Sequence, residues 1–174
     1  MEVFFLRHGP AEPKADWSGD DIERPLSAEG RLVVMELAAS LAGQKLGFDR
    51  LLTSPYKRAQ ETAHIVAARL GIPDRVSVDR RLIPGFGLRQ LGKILQDHAD
   101  AARLMLVGHG PDLTDIVRTI TGGRLTIRKA GVAQVELPDP ALLKGKLLSL
   151  IVPAPLDLVG KVDGEASLRQ PSAR

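Results

Sequence analysis

Cysteine is absent from the 174 residues, so neither disulfide bridges nor thiolate chemistry belongs to the design. Aromatics make up only 3% of the chain, with four Phe, one Trp and one Tyr. No basic run is interleaved with stacking residues, and nucleic acid is therefore not an expected partner. Long apolar runs are missing too. The first, Val3–Leu6, is too short to cross a bilayer, and no basic segment precedes it as in a secretory signal. These features predict a cytoplasmic protein without a membrane partner. No His/Asp/Glu spacing resembles a metal site, and no metal or other cofactor is expected. What remains is an ordinary globular composition, 44% hydrophobic and 26% charged, with net charge +3 and pI near 9.4. The positive balance mildly favours an anionic partner.

Histidine is scarce as well, with four in the chain, yet two of them stand in the same setting. FFLRHGP (4–10) and LMLVGHGPD (104–112) each run from apolar residues into His-Gly-Pro. At this Gly and Pro content a given His is followed by Gly-Pro by chance about 0.7% of the time. A lone histidine is more often a capping or core residue than a catalytic one; the repeat, with Arg7 beside one copy, reverses that preference.

The apolar pattern places strands at 2–6, 49–54, 103–107, 131–137 and 146–152, with a weaker one at 76–82. Residues 10–26 are polar, carry three Pro and read as a loop. Helices are predicted from Ser27 to about Gly43, from Ser54-Pro55 to Gly71, over 88–99 and over 111–121. In the first helix Leu32, Met35, Glu36 and Ala39 mark an imperfect stripe; in the second, Ser54 is the expected cap and Pro55 the first helical residue. Strands alternating with helices imply one α/β domain with a mainly parallel sheet. Its expected extent is 1–162, with a polar, disordered tail at 163–174.

In such sheets ligands bind beyond the carboxyl ends of the strands, where both His-Gly-Pro corners fall. Arg7 ends the first strand, and Arg58 lies about one turn into the second helix, able to reach back over the same crevice. Two guanidiniums and two imidazoles with no carboxylate between them suit a tetrahedral dianion. A histidine with one ring nitrogen unprotonated and the other held by an acceptor can attack phosphorus.

The chain resembles the histidine phosphatase superfamily, and more narrowly its SixA-type phosphohistidine phosphatases. The resemblance rests on LRHG (6–9), RPLSAEG (24–30), LLTSPYKRAQETA (51–63), VGHGPDL (107–113) and KAGVAQVEL (129–137), in that order. It implies a three-layer α/β/α fold with a mostly parallel central sheet. It also implies His8 as the nucleophile, Arg7 and Arg58 as ligands of the phosphoryl oxygens and His109 as a further hydrogen-bonding group, with backbone near Gly110 assisting. No metal takes part in that scheme. The expected substrate is a phosphohistidine on a phosphorelay protein; a broad small-molecule phosphomonoesterase and an idle phosphate-binding docking module are the alternatives.

Two departures from mutase-like members of the superfamily stand out. They carry Ser and Asn shortly after the first motif, where this chain has Ala11 and Lys14. They also carry a mid-chain Glu acid, whereas 79–91 here offers only Asp79. A mutase is thus not expected, and substrates with good leaving groups are. Arg24 is read as either a pocket-mouth residue or a loop salt bridge, and Trp17 as either packing or a substrate lid. Thr62, His64 and His98 are expected to be structural or superficial.

Overall fold

The computed structural model describes residues 1–153. Both the expected domain limit at 162 and the tail beyond it lie outside the described residues.

Six strands form one sheet: β1 (Glu2–Arg7), β2 (Arg50–Thr53), β3 (Val76–Val78), β4 (Arg103–Gly108), β5 (Val132–Asp139) and β6 (Lys144–Ile151). Their order is β3-β2-β4-β1-β5-β6. The first four are mutually parallel; β5 runs antiparallel to β1, and β6 antiparallel to β5. The helices are α1 (Ala28–Gly43), α2 (Lys57–Leu70), α3 (Leu88–Asp97) and α4 (Asp112–Thr121). Alternate residues of each central strand feed opposite cores. Phe4, Leu6, Leu51, Met105 and Val107 pack under α1 and α2, while Val3, Phe5, Leu52, Leu104 and Leu106 pack under α3 and α4. Helices on both faces of the sheet make the expected three layers.

Ser27 does cap α1, its hydroxyl accepting the Gly30 N–H at 3.0 Å. The stripe anticipated on that helix is displaced, however. Val33, Val34, Leu37, Ala38 and Leu41 are buried, whereas Leu32 and Met35 are 56% and 53% exposed. A helix apolar nearly all round does not reveal from its own pattern which face meets the sheet. The start of α2 also differs. It begins at Lys57 with Tyr56 at the cap position, so Ser54 and Pro55 precede the helix. β3 is shorter than the 76–82 run: Asp79 leaves the strand and accepts the Arg81 backbone N–H, capping a short turn over Arg80–Leu82.

Gly30 is required by close approach. A Cβ there would lie 1.8 Å from the Pro10 carbonyl oxygen, so α1 touches the first His-Gly-Pro corner backbone to backbone. Gly43, in the last turn of the same helix, has nothing within 4 Å of such a Cβ. Gly30→Ala should therefore lower the unfolding free energy by about 1–3 kcal/mol, as overpacking does. Gly43→Ala should be neutral or stabilising by up to about 1 kcal/mol. Denaturant unfolding of the two variants checks this; equal effects would mean that the corner yields freely.

Candidate active site

β1 and β4 pair in parallel with Arg7 opposite Gly108. One residue on, His8 and His109 leave the sheet at the same level, their ring centroids 5.2 Å apart at 61°. The helices that follow these two strands, α1 and α4, pack on opposite faces of the sheet, which opens a crevice between the strand ends. β2 lies on the other side of β4, with Thr53 opposite Val107, and brings Ser54 to the same edge. The parallel register thus gathers both corners and the entry to α2.

The first corner is held by its own backbone. Thr62 on α2 accepts the Gly9 N–H at 3.1 Å and donates to the Arg58 carbonyl at 2.7 Å, the structural role expected of it. The Gly9 carbonyl lies 2.7 Å from His8 Nδ1. A carbonyl only accepts, so Nδ1 carries the proton. From the other side Arg58 Nε, which only donates, points at His8 Nε2 from 3.3 Å. Both contacts demand the same tautomer, with Nε2 unprotonated and its lone pair accepting from Arg58 at rest. Burial chiefly holds His8 far below the ordinary imidazole value, at about 3, and the charges of His109, Arg58 and Arg7 push the same way against the Gly9 carbonyl. His109 is lowered to about 4, again by burial first and then by Arg58. Both rings are neutral at pH 7.

The two guanidiniums are fixed differently. Arg7 donates from Nη1 to the Ile127 carbonyl at 3.1 Å, and its buried Nε has no partner among the described residues. Gly110 lies flat against this group: a Cβ there would come within 2.6 Å of Arg7 Cζ. A side chain at 110 would displace the arginine. Arg58 is buried, with its Nη1 on the Asp21 carbonyl at 2.8 Å and its Nη2 on the Asp21 carboxylate at 3.0 Å. Tyr56 stacks beneath Arg58 at 4.7 Å and meets His109 edge-on at 4.9 Å.

Asp21 corrects the expectation that no carboxylate lies among the cations. It sits in the 10–26 loop and also accepts from Arg24 Nε at 2.8 Å. Its neighbours Asp20 and Glu23 carry carboxylates too, so no spacing in the sequence singles it out. Arg24 takes the loop salt bridge rather than a free place at the mouth, since its Nη1 also binds the Glu12 carbonyl at 2.7 Å. Trp17 is half-buried and donates to the Asp20 carbonyl at 2.9 Å, bracing the same loop without a hydrogen bond to Arg7, His8, Arg58 or His109. Ser54, expected as a cap, instead lies 2.8 Å from His109 Nε2. Asp79 is gripped by Arg81 through three nitrogens at 2.6–3.1 Å. Among the described residues no group of three or more His, Cys, Asp or Glu is placed to hold a metal ion.

A neutral imidazole with one unprotonated nitrogen, flanked by two guanidiniums and a second imidazole, can attack a phosphoryl group and bind its oxygens. The sequence profile of the histidine phosphatase superfamily (branch 1) matches residues 3–87. The phosphohistidine phosphatase SixA of Escherichia coli K12 is 30% identical over 143 residues, covering 80% of this chain and 87% of that protein. An uncharacterized protein of Picosynechococcus sp. PCC 7002 is 38% identical over 139 residues, covering 76% and 82%. A solved structure of the protein histidine phosphatase SixA with tungstate superposes with TM-score 0.76 at 27% identity, covering 87% and 96%. The chain belongs to the SixA-type branch of the histidine phosphatase superfamily. It is a phosphatase, a hydrolase of phosphoester or phosphoramidate bonds.

The neutral state of the phosphatase's His8 has a consequence for stability. Its folded value, about 3, lies below the 6.5 of a free imidazole. Between those values the unfolded chain binds a proton that the folded chain does not, so stability is complete above pH 6.5 and falls as pH drops. Urea unfolding at pH 7.5, 6.5 and 5.5 should show the wild type losing stability more steeply than His8→Asn. Parallel slopes for the two proteins would mean that His8 is charged in the fold.

Proposed function

We propose that this phosphatase removes the phosphoryl group from phosphohistidine on a protein, through a covalent intermediate on His8. The observation that carries the reading is the His8 ring itself, with Nδ1–H on the Gly9 carbonyl and an unprotonated Nε2 that accepts from Arg58 Nε. In the first step Nε2 forms a bond to phosphorus as the bond to the leaving group breaks. The ring then carries positive charge, and the Gly9 carbonyl opposite Nδ1–H stabilises it. Arg7 and Arg58 bind the equatorial oxygens, with Gly110 leaving room for Arg7. In the second step water attacks phosphorus, inorganic phosphate leaves and Nε2 recovers its lone pair. Positioning and fixed positive charge supply most of the rate, and the scheme uses no metal.

The leaving group decides between substrates. An alkyl ester expels an alkoxide and needs proton donation worth typically about 10²–10⁴-fold. The carboxylates at and near the site are poorly suited to this. Burial pushes Asp21 up, but the bond from Arg24 and the charge of Arg58 outweigh it and hold the group below its usual range. Asp79 is likewise raised by burial and lowered further by Arg81. Neither holds a proton at neutral pH. A phosphohistidine ring protonates near neutrality and leaves as imidazole, bringing its own proton. The named activity of the E. coli relative and the tungstate, a tetrahedral oxyanion, in the solved relative support the same reading.

The test compares kcat/KM for a phosphohistidine protein with a series of phosphate esters of graded leaving-group pKa, with and without chelator. The expected result is phosphohistidine first, aryl phosphates next and sugar or serine phosphates about 10²-fold or more below phosphohistidine, all unaffected by chelation. His8→Ala should abolish turnover and the acid-labile phosphoenzyme. A flat dependence on leaving group would favour the small-molecule phosphomonoesterase, and label retained in His8→Ala would move the nucleophile elsewhere.

A further inference from the structure

Ser54 is fully buried at the end of β2, and its hydroxyl has two neighbours. It accepts the Tyr56 backbone N–H at 3.4 Å, and it lies 2.8 Å from His109 Nε2. The second contact can carry its proton in either direction. If Nε2–H donated, the oxygen would accept twice and its own hydrogen would face no acceptor among the described residues. A buried hydroxyl hydrogen left unpaired costs about 1–3 kcal/mol. If the hydroxyl donates to Nε2, every group in the chain Tyr56 N–H, Ser54 Oγ, His109 Nε2 is satisfied.

The other nitrogen of the same ring completes the case. His109 Nδ1 has no hydrogen-bond partner among the described residues. It is therefore free to bond a group that enters the crevice. We infer that Ser54 is a positioning residue that fixes His109 as the Nδ1–H tautomer, so that a neutral imidazole presents a hydrogen-bond donor to the phosphoryl group on His8. The inference rests on the reaction proposed above for its catalytic meaning, but the tautomer itself is a property of the unliganded chain. A neutral ring has one N–H to give. With the opposite tautomer it would point a lone pair at an anion, replacing attraction by repulsion.

The experiment reads the tautomer and the kinetics separately. The full chain, labelled with ¹⁵N-histidine, is examined at neutral pH by two-bond ¹H–¹⁵N correlation, with His109 assigned by its absence in His109→Gln. The expected wild-type pattern is protonated Nδ1 and bare Nε2. In Ser54→Ala that preference should be lost, and kcat should fall about 10- to 100-fold with KM little changed, the behaviour of a donor that acts in the transition state. Ser54→Thr, which keeps the hydroxyl, should restore both. An Nε2–H ring in the wild type overturns the inference without reference to substrate. So does a Ser54→Ala protein that keeps the Nδ1–H pattern, whatever its activity, because any loss would then be structural. Failure of phosphohistidine turnover alone would instead count against the proposed substrate.

Discussion

Everything at the site depends on the parallel pairing of β1 with β4. Arg7 opposite Gly108 sets His8 level with His109, and a slip of one residue would turn one of the two corners to the opposite face of the sheet. The two strands lie side by side although about a hundred residues separate them in the chain. Burial on both faces holds the register. Phe4 and Leu6 belong to one core, Val3 and Phe5 to the other, so any slip exposes one set or mispairs both. The catalytic geometry is in this sense a by-product of how the hydrophobic layers close.

Around that frame, the site is arranged to keep histidine neutral in the presence of two arginines. Burial and neighbouring positive charge act together on His8, and the Gly9 carbonyl, which would favour the cation, is outweighed at rest. In the proposed reaction the same carbonyl stabilises the charge that the ring acquires when Nε2 bonds to phosphorus. One contact therefore serves the intermediate more than the resting enzyme, which is what transition-state and intermediate stabilisation require. Asp21 offsets part of the positive charge on Arg58, and it links the 10–26 loop to that guanidinium.

Several small contacts transmit this arrangement from the scaffold. Glu61 on α2 accepts the Leu26 N–H and pairs with Arg31 on α1, closing the end of the loop. Ala11 and Leu26 bridge across its base. Gly30 and Gly110 admit backbone or guanidinium where any side chain would intrude. The corner, the loop and α2 thus form one connected unit, with Thr62 joining Gly9 to the Arg58 carbonyl.

The sequence by itself determined the alternation of strands and helices, the two His-Gly-Pro corners and the choice of His8, Arg7, Arg58 and His109 as candidate site residues. It could do so because each is marked by local signals, apolar period, turn chemistry or a repeated tripeptide, that need no knowledge of distant neighbours. Only the tertiary structure decided that α1 buries Val33, Val34 and Leu37 instead of Leu32 and Met35. It alone made Ser54 a partner of His109 rather than a helix cap, and it alone brought Asp21 from among several acidic loop residues onto Arg58. The physical reason is common to all three. A helix apolar on several sides, a hydroxyl before a proline and a carboxylate in a loop each have more than one way to satisfy themselves locally, and the choice falls to whichever partner the packed sheet carries into reach.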